Sequence, residues 1–285
     1  MSASRTVLEA PAGVGDLLRY WRGVRRMSQL ELAGEAGTTP RHVSFVETGR
    51  SQPSRQMVVR LARALDVPLR ERNGLLRAAG YAPLYSAEPL DAPQLARVEA
   101  ALTAMLAQHE PFPAVVLDAG WNVVRSNGAA AQLFAALAAP EPLPEAPNVL
   151  RLILGPGPVR SRVRNWDTVA PGLLDRARRE AVGGVTDPDT AALLDRLRAE
   201  PELAALVARP PDATPPAGPV FDVCLDLDGT PLSFFSVVST LGTPSDVTAE
   251  ELRVEAFFPS DEATATTWRA RRSATLEPGP RGENR

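Results

Sequence analysis

The chain has 285 residues, 44% of them hydrophobic and 23% charged, with one cysteine, two histidines and a formal net charge of −3. That length accommodates one large or two smaller domains, and a lone Cys224 excludes an internal disulfide framework and fits a reducing compartment. His42 and His109 are too far apart in sequence to signal a zinc site, no apolar run reaches the ~18 residues of a membrane span, and no signal peptide is legible, so the expectation is a soluble, cytoplasmic protein with no membrane partner.

A first helix is predicted over Val14–Arg26, with Leu17, Leu18, Trp21 and Val24 on one face. Ser28 with Glu31 three residues on is the capping-box pattern, opening a second helix that Gly37 stops. Thr39 is placed to cap a third helix with Pro40 at its first position; that helix carries Val43 and Val46 inward and ends at Gly49. Two short helices joined by a tight glycine turn form a helix-turn-helix, which lays its second helix in a DNA major groove. Ser54 caps a fourth helix over Gln56–Leu65, and Leu69–Ala79 makes a fifth. Gly80, Pro83 and Pro89 then break the periodicity, which sets a head at 13–80 and a linker at 81–90.

Charge divides the chain at the same place. Residues 1–80 hold thirteen arginines against seven acids, +6, which leaves −9 for the rest. A basic head on an acidic body is the footprint of a small DNA reader with a second function attached. On the third helix, residues 41, 44 and 45 lie opposite Val43 and Val46, so Arg41 can offer its fork to guanine, worth about 1–3 kcal/mol of discrimination. A single head buries little surface, so a homodimer on a two-fold site is expected.

The body, 91–272, opens with a helix at 91–108 and a hairpin of Val115–Leu117 and Trp121–Arg125 around Asp118-Ala-Gly. Asn127 caps a helix running to Leu137, and further helices are predicted at 148–154, 166–182, 188–199 and 201–208. Strands follow at Phe221–Leu227, Leu232–Leu241 and Leu252–Phe258, a closing helix at Asp261–Arg271, and a disordered tail at 273–285. The fold class expected is therefore an all-α five-helix DNA-binding domain followed by an α+β domain with an antiparallel sheet of four or five strands. Both faces of Leu232–Leu241 carry apolar residues, so helices or an apolar ligand cover both.

Residues 13–80 resemble the phage-repressor type of helix-turn-helix, the xenobiotic-response-element class, through Ser28-Gln29, Leu32-Ala33, Gly37, Thr38-Thr39, Val43, Val46-Glu47 and Gly49-Arg50. The resemblance implies that Gln29, Thr39 and Arg50 meet phosphates, that Pro40, Arg41, Ser44 and Phe45 project towards base edges, and that Arg22 pairs with Glu47. Phe45 departs from the usual polar residue and either touches a thymine methyl or packs against the protein. The segments TPRHVSFVETGRSQPSRQMVVRLARALDVPLRERNGLLRAAGYAP, FPAVVLDAGWNVVRSNGAAAQLF, VRNWDTVAPGLL and LSFFSVVSTLGTPSDVTAEELRVEAFFPSDEATA narrow this. Occurring in that order over 13–270, they resemble the MmyB-like regulators, whose C-terminal half is a PAS-like ligand-binding domain.

That resemblance implies a transcription regulator, not an enzyme, with double-stranded DNA and a small, fatty-acid-like ligand as partners and no cofactor. Polar candidates for the ligand site are Asn127, Arg151, Asn165 and Trp166. Each has a plainer reading: Asn127 and Asn165 as helix caps, Arg151 as a solvated helix face, Trp166 as a staple to the core. A body that serves dimerisation or a protein partner is the alternative. Asp226-Leu-Asp228-Gly-Thr230 also matches the nucleophile motif of haloacid-dehalogenase-type phosphatases. Only 55 residues follow it, the chain has no lysine for the phosphate, and Asp228-Gly229 is a strong hairpin-turn signal, so a turn is expected.

Overall fold

The computed structural model describes residues 13–182, 188–209 and 220–276. They form two compact units, the first holding residues 13–88 together with Thr243–Glu250, the second the other described residues.

Five helices make up most of the first unit: α1 (Val14–Val24), α2 (Gln29–Glu35), α3 (Pro40–Glu47), α4 (Arg55–Ala64) and α5 (Leu69–Ala78). Their starts follow from local chemistry. The Ser28 hydroxyl accepts from Glu31 N at 3.2 Å while the Glu31 carboxylate accepts from Ser28 N at 2.6 Å, a complete capping box. Thr39 and Ser54 cap α3 and α4 through His42 N and Met57 N. Gly37 turns the chain between α2 and α3 at φ +61°, a conformation glycine adopts without the steric cost of a Cβ. Leu18, Trp21, Leu32, Val43, Val46, Val58, Leu61, Leu65 and Leu76 form one buried core. α1 reaches α3 closely at Gly15, where a Cβ would stand 2.6 Å from the Val46 carbonyl oxygen.

The segment expected as a linker is tied down over most of its length. Asn73 on α5 accepts from Leu84 N and Tyr85 N through Oδ1 and donates to Tyr85 O through Nδ2. A short helix not expected from the sequence, α13 (Val247–Glu251), begins in the same unit. Asp246 accepts from the Ser86 hydroxyl at 2.7 Å, and Val247 N donates to Ser86 O. The Glu250 carboxylate accepts from Leu69 N at 2.6 Å, at the start of α5, where Pro68 supplies no side-chain cap.

The second unit is α+β. In chain order it runs α6 (Ala96–Gln108), β1 (Ala114–Leu117), β2 (Val123–Ser126), α7 (Gly128–Ala138), α8 (Val149–Leu154), α9 (Pro158–Ser161), α10 (Trp166–Val182), α11 (Pro188–Arg198), α12 (Pro201–Val207), β3 (Val223–Leu227), β4 (Thr230–Thr240), β5 (Arg253–Pro259) and α14 (Glu262–Leu276). The strands form one antiparallel sheet in the order β2-β1-β5-β4-β3, which resolves the strand number left open above as five. Residues 273–276, expected in the tail, form the last turn of α14; the rest of that tail lies outside the described residues.

Register sorts the sheet into two faces. Val115, Leu117, Leu225, Leu227, Leu232 and Phe234 pack with side chains of α7, α8, α10, α11, α12 and α14. On the opposite face Ala114, Val116 and Val254 pack with Leu102 and Leu106 of α6. α6 does not cover that face fully: Val237 and Phe258 are exposed there, and Phe235 stacks on Phe258. The expectation that both faces of β4 are covered therefore holds only for Leu232 and Phe234 on the helix-packed face, where Val238 is itself exposed.

Candidate functional site

In the first unit, α3 presents one side outward because its other side is fixed from within. Glu47, 3% exposed, accepts from Arg22 Nε at 2.7 Å and Arg22 Nη2 at 3.0 Å, and from Gln29 Nε2 at 2.9 Å. Arg19 Nη2 donates to the Glu47 carbonyl at 2.7 Å. Burial pushes the Glu47 carboxyl up, but the hydrogen bonds from Arg22 and Gln29, with the charges of Arg22 and Arg19, hold it below its ordinary value. The Arg22–Glu47 pair is the one the family resemblance implies. Gln29, assigned above to a phosphate, is half-buried and spends one amide N–H on Glu47.

Thr39, Pro40, Arg41 and Arg50 are exposed; Ser44 and Phe45 are half-buried beside them. The Arg41 guanidinium lies over the Phe45 ring, 5.2 Å from its centroid. Phe45 thus serves the protein by stacking on Arg41, which holds an otherwise mobile fork against α3. Six of the seven DNA-facing residues predicted from sequence come from α3 and the turns at its two ends, and the seventh, Gln29, opens α2.

The four predicted ligand residues do not share one set of partners. Asn127 is buried at the start of α7; its Oδ1 accepts from Ala130 N and Ala114 N, and its Nδ2 donates to Phe112 O and Leu106 O. Both ends of that amide are occupied by backbone. Asn165 accepts from Cys224 N and donates to Asp222 O, pinning the start of α10 to β3. Arg151 is exposed on α8. Trp166 donates to Ile153 O at 2.8 Å, carries the Arg160 guanidinium 3.8 Å over its ring, and packs against both core clusters of the helix-covered face.

A charged cluster that sequence reasoning missed sits on that same face. Arg253 and Glu255 are two apart on β5, opposite Leu117 and Val115, and both are buried. Arg176 of α10 donates to both Glu255 oxygens, at 2.8 and 3.2 Å, and to Glu180 Oε1 at 2.8 Å. Arg253 Nη1 lies 3.3 Å from Glu180 Oε2. Both guanidinium groups lie over the Trp121 ring, Arg176 at 4.8 Å and Arg253 at 4.3 Å. Trp121 itself has φ +67°, a left-handed backbone unusual for a bulky residue.

The two arginines are compensated unequally. Burial lowers Arg176, but its bonds and charge pairing with Glu255 and Glu180 carry it above its ordinary value. Burial also lowers Arg253, and there the charges of Glu180 and Glu255 do not restore it. Nε and Nη2 of Arg253 are buried with no hydrogen-bond partner among the described residues. Each buried, unpaired donor costs about 1–3 kcal/mol, so this edge is an unsatisfied feature of the folded protein. The signal was present in RVEAFF: charges at alternate positions of an otherwise apolar strand place both on one face.

The phosphatase-like motif is a turn. Asp228 and Gly229 have φ +55° and +79°, β3 and β4 pair directly across them, and Asp226 Oδ1 accepts from Gly229 N. Arg271 Nη2 binds Asp228 Oδ2 at 2.8 Å.

Comparison with known proteins agrees with both units. The helix-turn-helix family matches residues 18–72, and the family described as MmyB-like transcription regulator ligand binding domain matches residues 98–270. No curated protein matches the chain. No helix among the described residues is long and apolar enough to cross a membrane. The second match spans more than half of the chain and lies behind the first, so the chain belongs to the MmyB-like transcription regulators, pairing a helix-turn-helix DNA-binding head with a ligand-binding domain.

Proposed function

We propose that this regulator works as a one-component sensor: a homodimer in the cytoplasm whose heads read a two-fold operator and whose bodies bind a small, fatty-acid-like ligand that changes operator affinity. The outward side of α3 carries the reading, with Arg41 steadied on Phe45 while Glu47 is locked inward. Arg41 reads guanine, Ser44 and Pro40 approach neighbouring bases, and Gln29, Thr39 and Arg50 hold phosphates. Among the four ligand candidates, Trp166 keeps a half-buried ring at the seam of two apolar clusters and is retained as a contact; Asn127 and Asn165 are spent on backbone. Regulation requires the ligand to bind two states of the dimer unequally.

The test is selection of binding sites from a random duplex library by the full-length protein, followed by native mass spectrometry. The reading expects an inverted repeat with half-sites about one helical turn apart, a dimer, and a removable adduct whose addition shifts operator affinity. Recovery of no sequence would sink it, as would identical affinity with and without saturating ligand. A body that serves dimerisation or a protein partner is the second reading, favoured by exposed Val237 and Phe258 on the sheet.

A further inference from the structure

We propose that Arg253 is the acid-recognising residue of the ligand-binding domain, its free Nε–Nη2 edge taking the carboxylate of an organic monoacid. This rests on the ligand-responsive reading above and assigns that ligand its polar end. Three independent features converge on the residue. Its side chain is nine-tenths buried, yet two of its donors have no partner among the described residues. Those donors are Nε and Nη2, the edge of the guanidinium whose two N–H groups run parallel and match the two oxygens of a carboxylate. Nη1, on the other side, is already committed to Glu180.

The second feature is the plane in which the fork is held. Trp121 stacks under Arg253, and it does so from a left-handed backbone conformation that a bulky residue adopts only when its surroundings impose it. Backbone strain of this kind gathers at ligand clamps. The third feature is charge. Arg176 and Arg253 face Glu180 and Glu255, and the charge of Asp118 also reaches Arg253, so the cluster carries no excess positive charge before ligand arrives. A monoanion gains the fork, whereas a dianion meets both glutamates with its second charge. The ligand's remaining body falls to apolar groups on the same face: Val238, opposite Glu255 on β4, is exposed, and Phe257, two residues along β5, is half-buried.

The test uses full-length protein with sodium decanoate and decan-1-ol as probes, which share a chain and differ in the head group. Affinities are measured by calorimetry for the wild type and for Arg253→Met, which keeps an unbranched apolar stem. The side-chain Nε–Hε signal of Arg253, assigned by its loss in the variant, is followed by ¹⁵N NMR in the wild type. Decanoate is expected to bind about tenfold or more tighter than the alcohol, a preference the variant loses while its affinity for the alcohol stays within about twofold. The Arg253 signal is expected to move with decanoate and not with decan-1-ol. If the variant does not fold, the NMR signal, then assigned in the wild type through Arg253's own backbone resonances, decides alone. Equal binding of acid and alcohol, a preference that survives Arg253→Met, or an unmoved signal at saturation overturns the assignment and leaves only water for that edge. None of those results touches the sensor reading, which is judged on copurified ligand and operator affinity. Binding of neither probe also overturns the assignment.

Discussion

Glu47 is the residue on which the DNA-reading surface turns, because its buried carboxylate ties α1 and α2 to α3 through Arg22 and Gln29 while its backbone carbonyl takes Arg19. Its folded-state pKa lies below its ordinary 4.5, so its contribution is complete above that pH and is lost as the pH falls through the depressed value. Denaturant unfolding across a pH series should find no loss from this group between neutrality and pH 4.5, then a decline. Glu47→Gln should cost about 3 kcal/mol at pH 7, because Arg22 is left partly buried without its counter-charge, and should flatten the acid limb. Arg41→Ala should leave stability unchanged and remove about 1–3 kcal/mol of discrimination at one base pair, read by competition between the selected operator and a single-base variant. At this scale the sequence carried the head well and the body poorly. The Thr39 cap follows from local spacing, and the Arg22–Glu47 pair from the family resemblance. The Arg253 cluster joins β5 to α10 across 79 residues, from Arg176 to Glu255, and no local pattern encodes that meeting. Asn127 and Asn165 were legible as polar residues at helix starts, but which backbone groups occupy them depends on neighbours far along the chain.

Elements were legible where their ends are chemically marked. α2, α3, α4 and α7 each start at a Ser, Thr or Asn whose side chain accepts from the third residue on, and each was placed from that signal. α9 and α13 were missed because each is a turn or so long and has no periodic face to read. β2 begins at Val123, two residues later than expected, because the left-handed backbone at Trp121 puts that residue in the turn. Two measurements probe element packing. Ser28→Ala should destabilise the protein by about 1 kcal/mol by breaking the capping box. Gly15→Ala should cost about 2 kcal/mol, since its methyl would meet the Val46 and Glu47 carbonyl oxygens at 2.6 and 2.8 Å and force α1 away from α3. Both are read as shifts in unfolding midpoint, and Gly15→Ala should also weaken operator binding, because α3 moves with it.

On the scale of the whole molecule, the head is discontinuous in sequence. Sequence periodicity ends it near residue 80, yet residues up to Glu88 and Thr243–Glu250 belong to the same compact unit. Composition cannot show this, because the joining contacts are a hydroxyl, two carboxylates, a carbonyl and three backbone N–H groups, the farthest pair 181 positions apart. A fragment ending at residue 88 should therefore unfold about 1 kcal/mol more easily than the head within the intact chain, having lost the Glu250 acceptor at the start of α5. Glu250→Ala in the intact chain should reproduce most of that loss. Hydrogen exchange at Leu69 N reports on it directly, and equal protection in fragment and full-length protein would contradict the assignment.

The same acceptor bears on how freely such a regulator can be recombined. Grafting this head onto an unrelated sensor by splicing in the proline-bearing stretch after Gly80 would transplant an α5 whose first turn has no companion. A chimera that carries the eight residues Thr243–Glu250 with the head, or places an acid before Leu69, should recover the stability that the spliced head loses. Exchange of heads among such proteins is then constrained by a strand connection that the DNA never sees.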